Sequence, residues 1–225
     1  MDVAKVFDKT IEYSFYLLFF LVPLIFTPWN YELFEYNKMM LVYAMTVVIV
    51  GGWLGKMIVQ KEIKIQKTPL DIPLVFYLLS SVFSTIYSIH PHTSLWGYYS
   101  RFHGGLMSTI SYILLYYAFV SNMTKNQNAK IKMQNYNAKF KILQSTIRQL
   151  ADKQLTINCI YIILFSAFLV TFYGILEHLG IDAQYWVQDV KNRVFSSLGQ
   201  PNWLSAFIDA LICIPIALAL QAIAE

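Results

Sequence analysis

The chain has 225 residues, of which 57% are apolar, 16% aromatic and only 13% charged, and its mean hydropathy is +0.48. Soluble domains run at roughly 45–50% apolar and about 25% charged. Here the apolar residues also fall into separated blocks, so composition excludes a soluble globular domain and predicts an all-α, polytopic membrane protein. The net charge of +4 invites a nucleic-acid reading, but its distribution follows membrane topology, and no nucleic-acid partner is expected.

A helix crossing a ~30 Å hydrocarbon core needs roughly 20 mostly apolar residues. Taken in chain order, six blocks meet or approach that length: Glu12–Trp29, Met39–Val59, Ile72–Ile89, Leu106–Val120, Ile157–Leu176 and Leu204–Ala224. They are too long to be the ~10-residue alternating strands of a barrel, which leaves about six transmembrane helices. The first block follows Lys5 and Lys9 as a signal peptide would. No small-residue cleavage site comes after it, so it is expected to stay as an uncleaved span. Gly51, Gly52 and Gly55 in the second block predict close helix packing. Cys159 and Cys213 both lie inside apolar blocks, which leaves no disulfide framework and no Cys-based metal site.

Lys and Arg set the orientation. Thirteen of the 17 basic residues fall in the N-terminal tail, the loop after the second block and the loop after the fourth; only Lys38, Arg101, Lys191 and Arg193 fall on the other side. Both termini are therefore predicted to be cytoplasmic. The chain divides into residues 1–120 with four spans, a basic cytoplasmic insert at 121–156, and residues 157–225 with two spans around an outer loop at 177–203. Within the insert, Met133, Tyr136, Phe140, Leu143, Ile147 and Leu150 recur at helical spacing. They describe either an amphipathic helix docked on anionic membrane lipids or a solvated connector whose charge only fixes topology.

All four histidines, His90, His92, His103 and His178, fall on the predicted outer side, and chemistry is sought there. The segment from Ser94 to Leu106 combines Trp96, Gly97, Tyr98, Tyr99, Arg101, His103, Gly104 and Gly105. Glycines let a backbone approach a ligand closely, and the Arg fork suits phosphate oxygens; an interfacial turn with a snorkelling Arg fits the same residues. The last outer loop ends in Gly199-Gln200-Pro201-Asn202 directly before the sixth block. Pro201 suits a helix start and Asn202 a side-chain cap, and a helix N-terminus beside Arg193 forms an anion site. The plainer reading is a capped helix alone. Asp209, inside the sixth block, is a candidate partner for Arg193 or Arg101, or else a wetted structural carboxylate. His90 and His92 lack a Cys or carboxylate at ligand spacing, so no metal is expected.

The stretch Phe172-Tyr173-Gly174-Ile175-Leu176-Glu177, then Gly180-Ile181-Asp182, Trp186, and Arg193 through Gly199-Gln200-Pro201-Asn202-Trp203-Leu204, resembles the O-antigen ligase and polymerase superfamily of bacterial inner membranes. The Ser94–Gly104 segment is similar to the loop before that family's fourth span. The resemblance implies a metal-independent membrane glycosyltransferase that needs no cofactor. Such an enzyme takes a glycan from undecaprenyl pyrophosphate and passes it, outside the membrane, to a lipid, glycan or protein acceptor. It implies Arg193 and Arg101 as contacts of the donor diphosphate; Gly199 and Asn202 of the turn, and Asp209 as a carboxylate inside a span, are the supporting candidates. His103 is a general base by residue type only. Family members have ten or more spans, so this chain corresponds to an N-terminal half. A small polytopic transporter or channel subunit and a non-catalytic membrane scaffold are the alternatives.

Overall fold

The structure, a computed structural model, describes residues 3–27, 32–123, 154–187 and 189–224. Among them every regular element is helical: α1 (Val3–Leu24), α2 (Glu35–Gln60), α3 (Asp71–Ile86), α4 (Pro91–Trp96), α5 (Leu106–Met123), α6 (Gln154–His178) and α7 (Pro201–Ala224). Two short 3-10 turns, Ala183–Tyr185 and Ser196–Leu198, lie between α6 and α7.

Each apolar block forms a helix. Three of them, Glu35–Gln60, Ile157–His178 and Pro201–Leu220, are long and apolar enough to cross a membrane, while α3 and α5 are shorter apolar helices. The first helix begins nine residues before the expected Glu12 and stops at Leu24. Its early polar residues are partnered, which lets the helix include them: Asp8 pairs with Lys56 at 2.6 Å, and Glu12 accepts from the Tyr16 hydroxyl at 2.7 Å. At its other end Pro23 removes a donor in the last turn. The third helix stops at Ile86, and Pro91 starts α4 as its first residue. The amphipathic helix expected at 133–150 lies outside the described residues.

The helix α1 packs on both α2 and α6, α5 packs on α2 and meets α1 through Phe119 against Phe15 and Phe19, and α3 packs on α5. Ile11 and Phe15 of α1, Ile49 and Trp53 of α2 and Ala118 of α5 make one core cluster. Gly52 lets α2 close on the Ile11 side chain and Gly55 on the Phe7 ring, whereas Gly51 faces open space. A second cluster joins Val170 of α6 to Leu198 and to Leu204 of α7. Beyond that first stretch the described side chains of α7, up to Leu220, bury almost nothing.

Candidate functional site

The segment from Arg193 to Trp203 is anchored from below by helix ends. Phe195, Ser196, Ser197 and Leu198 are all buried. Ser196 has the left-handed φ of +52° and Gly199 a φ of +81°, so the chain doubles back sharply at both. The Ser196 hydroxyl donates to the Val170 carbonyl at 2.6 Å and the Ser197 hydroxyl to the Pro23 carbonyl at 2.7 Å. The fully buried Glu177 accepts the N–H groups of Phe195 and Ser196, at 2.9 and 2.7 Å, on one carboxylate oxygen. Lys38, on the first turn of α2, donates to the carbonyls of Pro23 and Ser197 at 3.0 and 2.8 Å. A cation suits that place, because the last carbonyls of α1 carry the negative end of its dipole.

This anchored turn leaves Arg193 exposed. Arg193, Asp189, Gln200 and Pro201 line an open cleft of about 360 Å³ at the N-terminus of α7. The Arg193 N–H donates to the Asp189 carbonyl at 3.0 Å, and the Asn192 side-chain amide donates to the Asp189 carboxylate at 2.6 Å. That amide holds the Asp189 carboxyl below the usual carboxylate range, so an ionised carboxylate also lines the cleft. Pro201 does begin the helix, but Asn202 is its second residue and exposed rather than its cap, since the chain becomes helical two positions earlier than that cap requires. Gly199 supports the cleft through its left-handed backbone and its position against the Phe34 ring.

Arg101 belongs to a second cluster. Its Nε lies 2.9 Å from the Glu35 carboxylate and 3.6 Å from that of Glu32, and its guanidinium stands 5.8 Å over the Trp203 ring. Through Trp203, in the first turn of α7, the loop carrying Arg101 meets the end of the loop carrying Arg193. Of the glycines expected to admit a ligand here, Gly97 and Gly105 admit backbone instead, and Gly104 faces open space. Gly105 lies directly on Gly97 and Leu95, and Gly97 on His103, so residues 97–105 close on themselves. Phe102 is held at φ +53° by the Tyr43 hydroxyl, which donates to its carbonyl at 2.9 Å.

His103 is exposed and opens onto a different cavity, a groove of about 320 Å³ between α3 and α5 lined by Leu74, Tyr77, Ser108, Thr109 and Tyr112. Arg193 and His103 therefore face separate spaces. Asp209 is exposed and makes no ion pair with Arg193 or Arg101: the packed side of α7 is Leu204, Phe207 and Ile208, and Asp209 turns off it. No group of three or more His, Cys, Asp or Glu residues gathers as a metal site among the described residues.

Glu32, Glu35, Lys38 and Glu177 receive no site role in a reading of outer-loop motifs. The signal for the first three is their spacing of three, two acids and a base at the mouth of an apolar run, of which Glu35 and Lys38 lie in the first turn of α2. Glu177 offers only the sign of an acid at the very end of a span. No family model, curated protein or solved structure matches the chain.

Proposed function

We propose that the chain is an O-antigen-ligase-like membrane-embedded glycosyltransferase, or a portion of one, in the bacterial inner membrane, with six spans and both termini cytoplasmic. In this reading the Arg193 cleft receives the diphosphate of a polyprenyl-diphosphate-linked glycan, and the glycan passes to a lipid, glycan or protein acceptor on the outer face. The observation that carries it is the exposed Arg193 guanidinium beside the α7 N-terminus in an open cleft. Both groups favour an anion. The leaving diphosphate gains charge as the glycosidic bond breaks, and a guanidinium already in place stabilises that charge without reorganising. Arg101, held by Glu35, borders the same region through Trp203. His103, a candidate base by residue type, faces the separate α3–α5 groove and is not part of the Arg193 cleft.

The test is binding of a polyprenyl-diphosphate glycan to the protein in lipid nanodiscs. Arg193→Ala abolishes binding, and Arg193→Lys, which keeps the charge but loses the fork, weakens it. Unchanged binding by Arg193→Ala rejects the anion site.

A further inference from the structure

Glu177 has no solvent exposure, and its side chain lies at the end of α6. A carboxylate is costly to bury unless its oxygens are hydrogen-bonded. Here one oxygen takes two successive backbone N–H groups, those of Phe195 and Ser196, at 2.9 and 2.7 Å, while the other has no partner among the described residues. The residue it grips, Ser196, is a non-glycine at φ +52°, a conformation that the chain does not adopt unaided. Asp182 backs this contact. It accepts from the Tyr173 hydroxyl and from the Trp186 indole N–H at 2.8 Å, and the Trp186 ring stands edge-on to Phe195 at 5.1 Å. Tyr173 lies one turn before Glu177 on the same face of α6, so a single helix end presents both groups to the turn.

We infer that Glu177 is a positioning residue for the Arg193 cleft: its carboxylate sets the backbone of Phe195 and Ser196 and, through it, the direction of Arg193 two residues before and the start of α7 five residues after. Glu177 does not touch the anion. It fixes the two groups that do, and so makes the cleft a preformed site rather than one assembled on binding. The anion is the diphosphate of the reading above, on which the inference rests.

Hydrogen exchange on the protein in nanodiscs, with and without undecaprenyl diphosphate as the probe, tests it. Glu177→Leu fills the same space without an acceptor. Its amides at 194–199 exchange about tenfold faster or more, while those of the α1–α2 core keep the parent rate. Glu177→Gln, whose carbonyl accepts both bonds, stays near the parent. Probe affinity falls about tenfold in Glu177→Leu and little in Glu177→Gln. Exchange at 194–199 that is unchanged in Glu177→Leu, or that rises equally throughout the chain, overturns the inference. Should Glu177→Leu fail to fold, Glu177→Asp, shorter by one methylene, is expected to show the same local rise. A parent protein that does not bind the probe, yet shows the local change, rejects the cleft's ligand and leaves the clamp standing.

Discussion

Gly199 stands against the ring of Phe34 so closely that a Cβ atom on it would lie 2.4 Å from the Phe34 Cγ. The two residues are 165 positions apart, and between them they pin the turn before α7 to the chain entering α2. Gly199→Ala would add a left-handed alanine, costing ~1–2 kcal/mol, to an overlap with a ring that Phe26, Trp186 and Phe195 hem in. The expected loss is about 2–4 kcal/mol, seen as a lower apparent Tm in detergent. A variant as stable as the parent would show that Phe34 can move aside.

Gly104 and Gly105 separate conformational strain from steric overlap. A Cβ on Gly104 meets nothing within 4 Å, although its φ is +82°; one on Gly105 would lie 2.4 Å from the Gly97 nitrogen and 2.6 Å from the Leu95 oxygen. Backbone atoms cannot swing away as the tip of a side chain can. Gly104→Ala is expected to cost ~1–2 kcal/mol and Gly105→Ala about 3 kcal/mol or more, compared by urea or thermal titration of the two variants. Equal costs would contradict the closed loop.

Arg101 and Glu35 form a measurable pair. The Arg101 side chain is 44% exposed and that of Glu35 only 16%, so solvent screens the ion pair in part. A double-mutant cycle with Arg101→Ala and Glu35→Gln is expected to give a coupling of about 0.5–1 kcal/mol. The same two variants divide the roles of Arg101. If the arginine serves only to hold its loop to α2, both lower the binding of a diphosphate probe alike; if it also touches the anion, Arg101→Ala lowers it further than Glu35→Gln.

Lys38 offers the sharpest charge test. Lys38→Glu would set a carboxylate against the carbonyls of Pro23 and Ser197 and against the negative end of α1, and it should prevent accumulation of folded protein. Lys38→Met removes the charge and its desolvation cost together, but leaves the Ser197 carbonyl without this donor. A loss of about 1–2 kcal/mol is expected. Expression level and detergent thermal shift read both variants. Normal accumulation of Lys38→Glu would mean that water reaches this position.

The helices could be read from the sequence because each is an apolar run, and hydrophobic length is a property of neighbours in the chain. Arg193 and Pro201 could be read for a similar reason: a proline at a helix start and an exposed arginine need no distant partner to be recognised. Other features depend on partners far along the chain. Glu177 binds a turn 18 and 19 residues on, Lys38 a carbonyl 159 residues on, and Tyr43 a carbonyl 59 residues on. No local pattern carries those pairings. The roles of Gly97 and Gly105 were hidden for the opposite reason. Glycine permits the approach of a ligand or of another strand of backbone equally well, and only the surrounding atoms decide which. Asp209 leaves both of its readings open in the sequence, because an acid in an apolar run can either pair or stay wetted, and its exposure beside the packed face of α7 agrees with the second.

The position of Lys38 also imposes an order on assembly. Its two acceptors become available at very different times: Pro23 is made before it, Ser197 only 159 residues after it. At synthesis rates of about 5–20 residues per second, the interval is roughly 10–30 s. During that time the Lys38 ammonium has only one protein acceptor of the pair, and its coordination by protein is complete only once the turn at Ser197 has been made. A translational pause before Ser197 would lengthen the time that Lys38 spends with the Pro23 carbonyl alone.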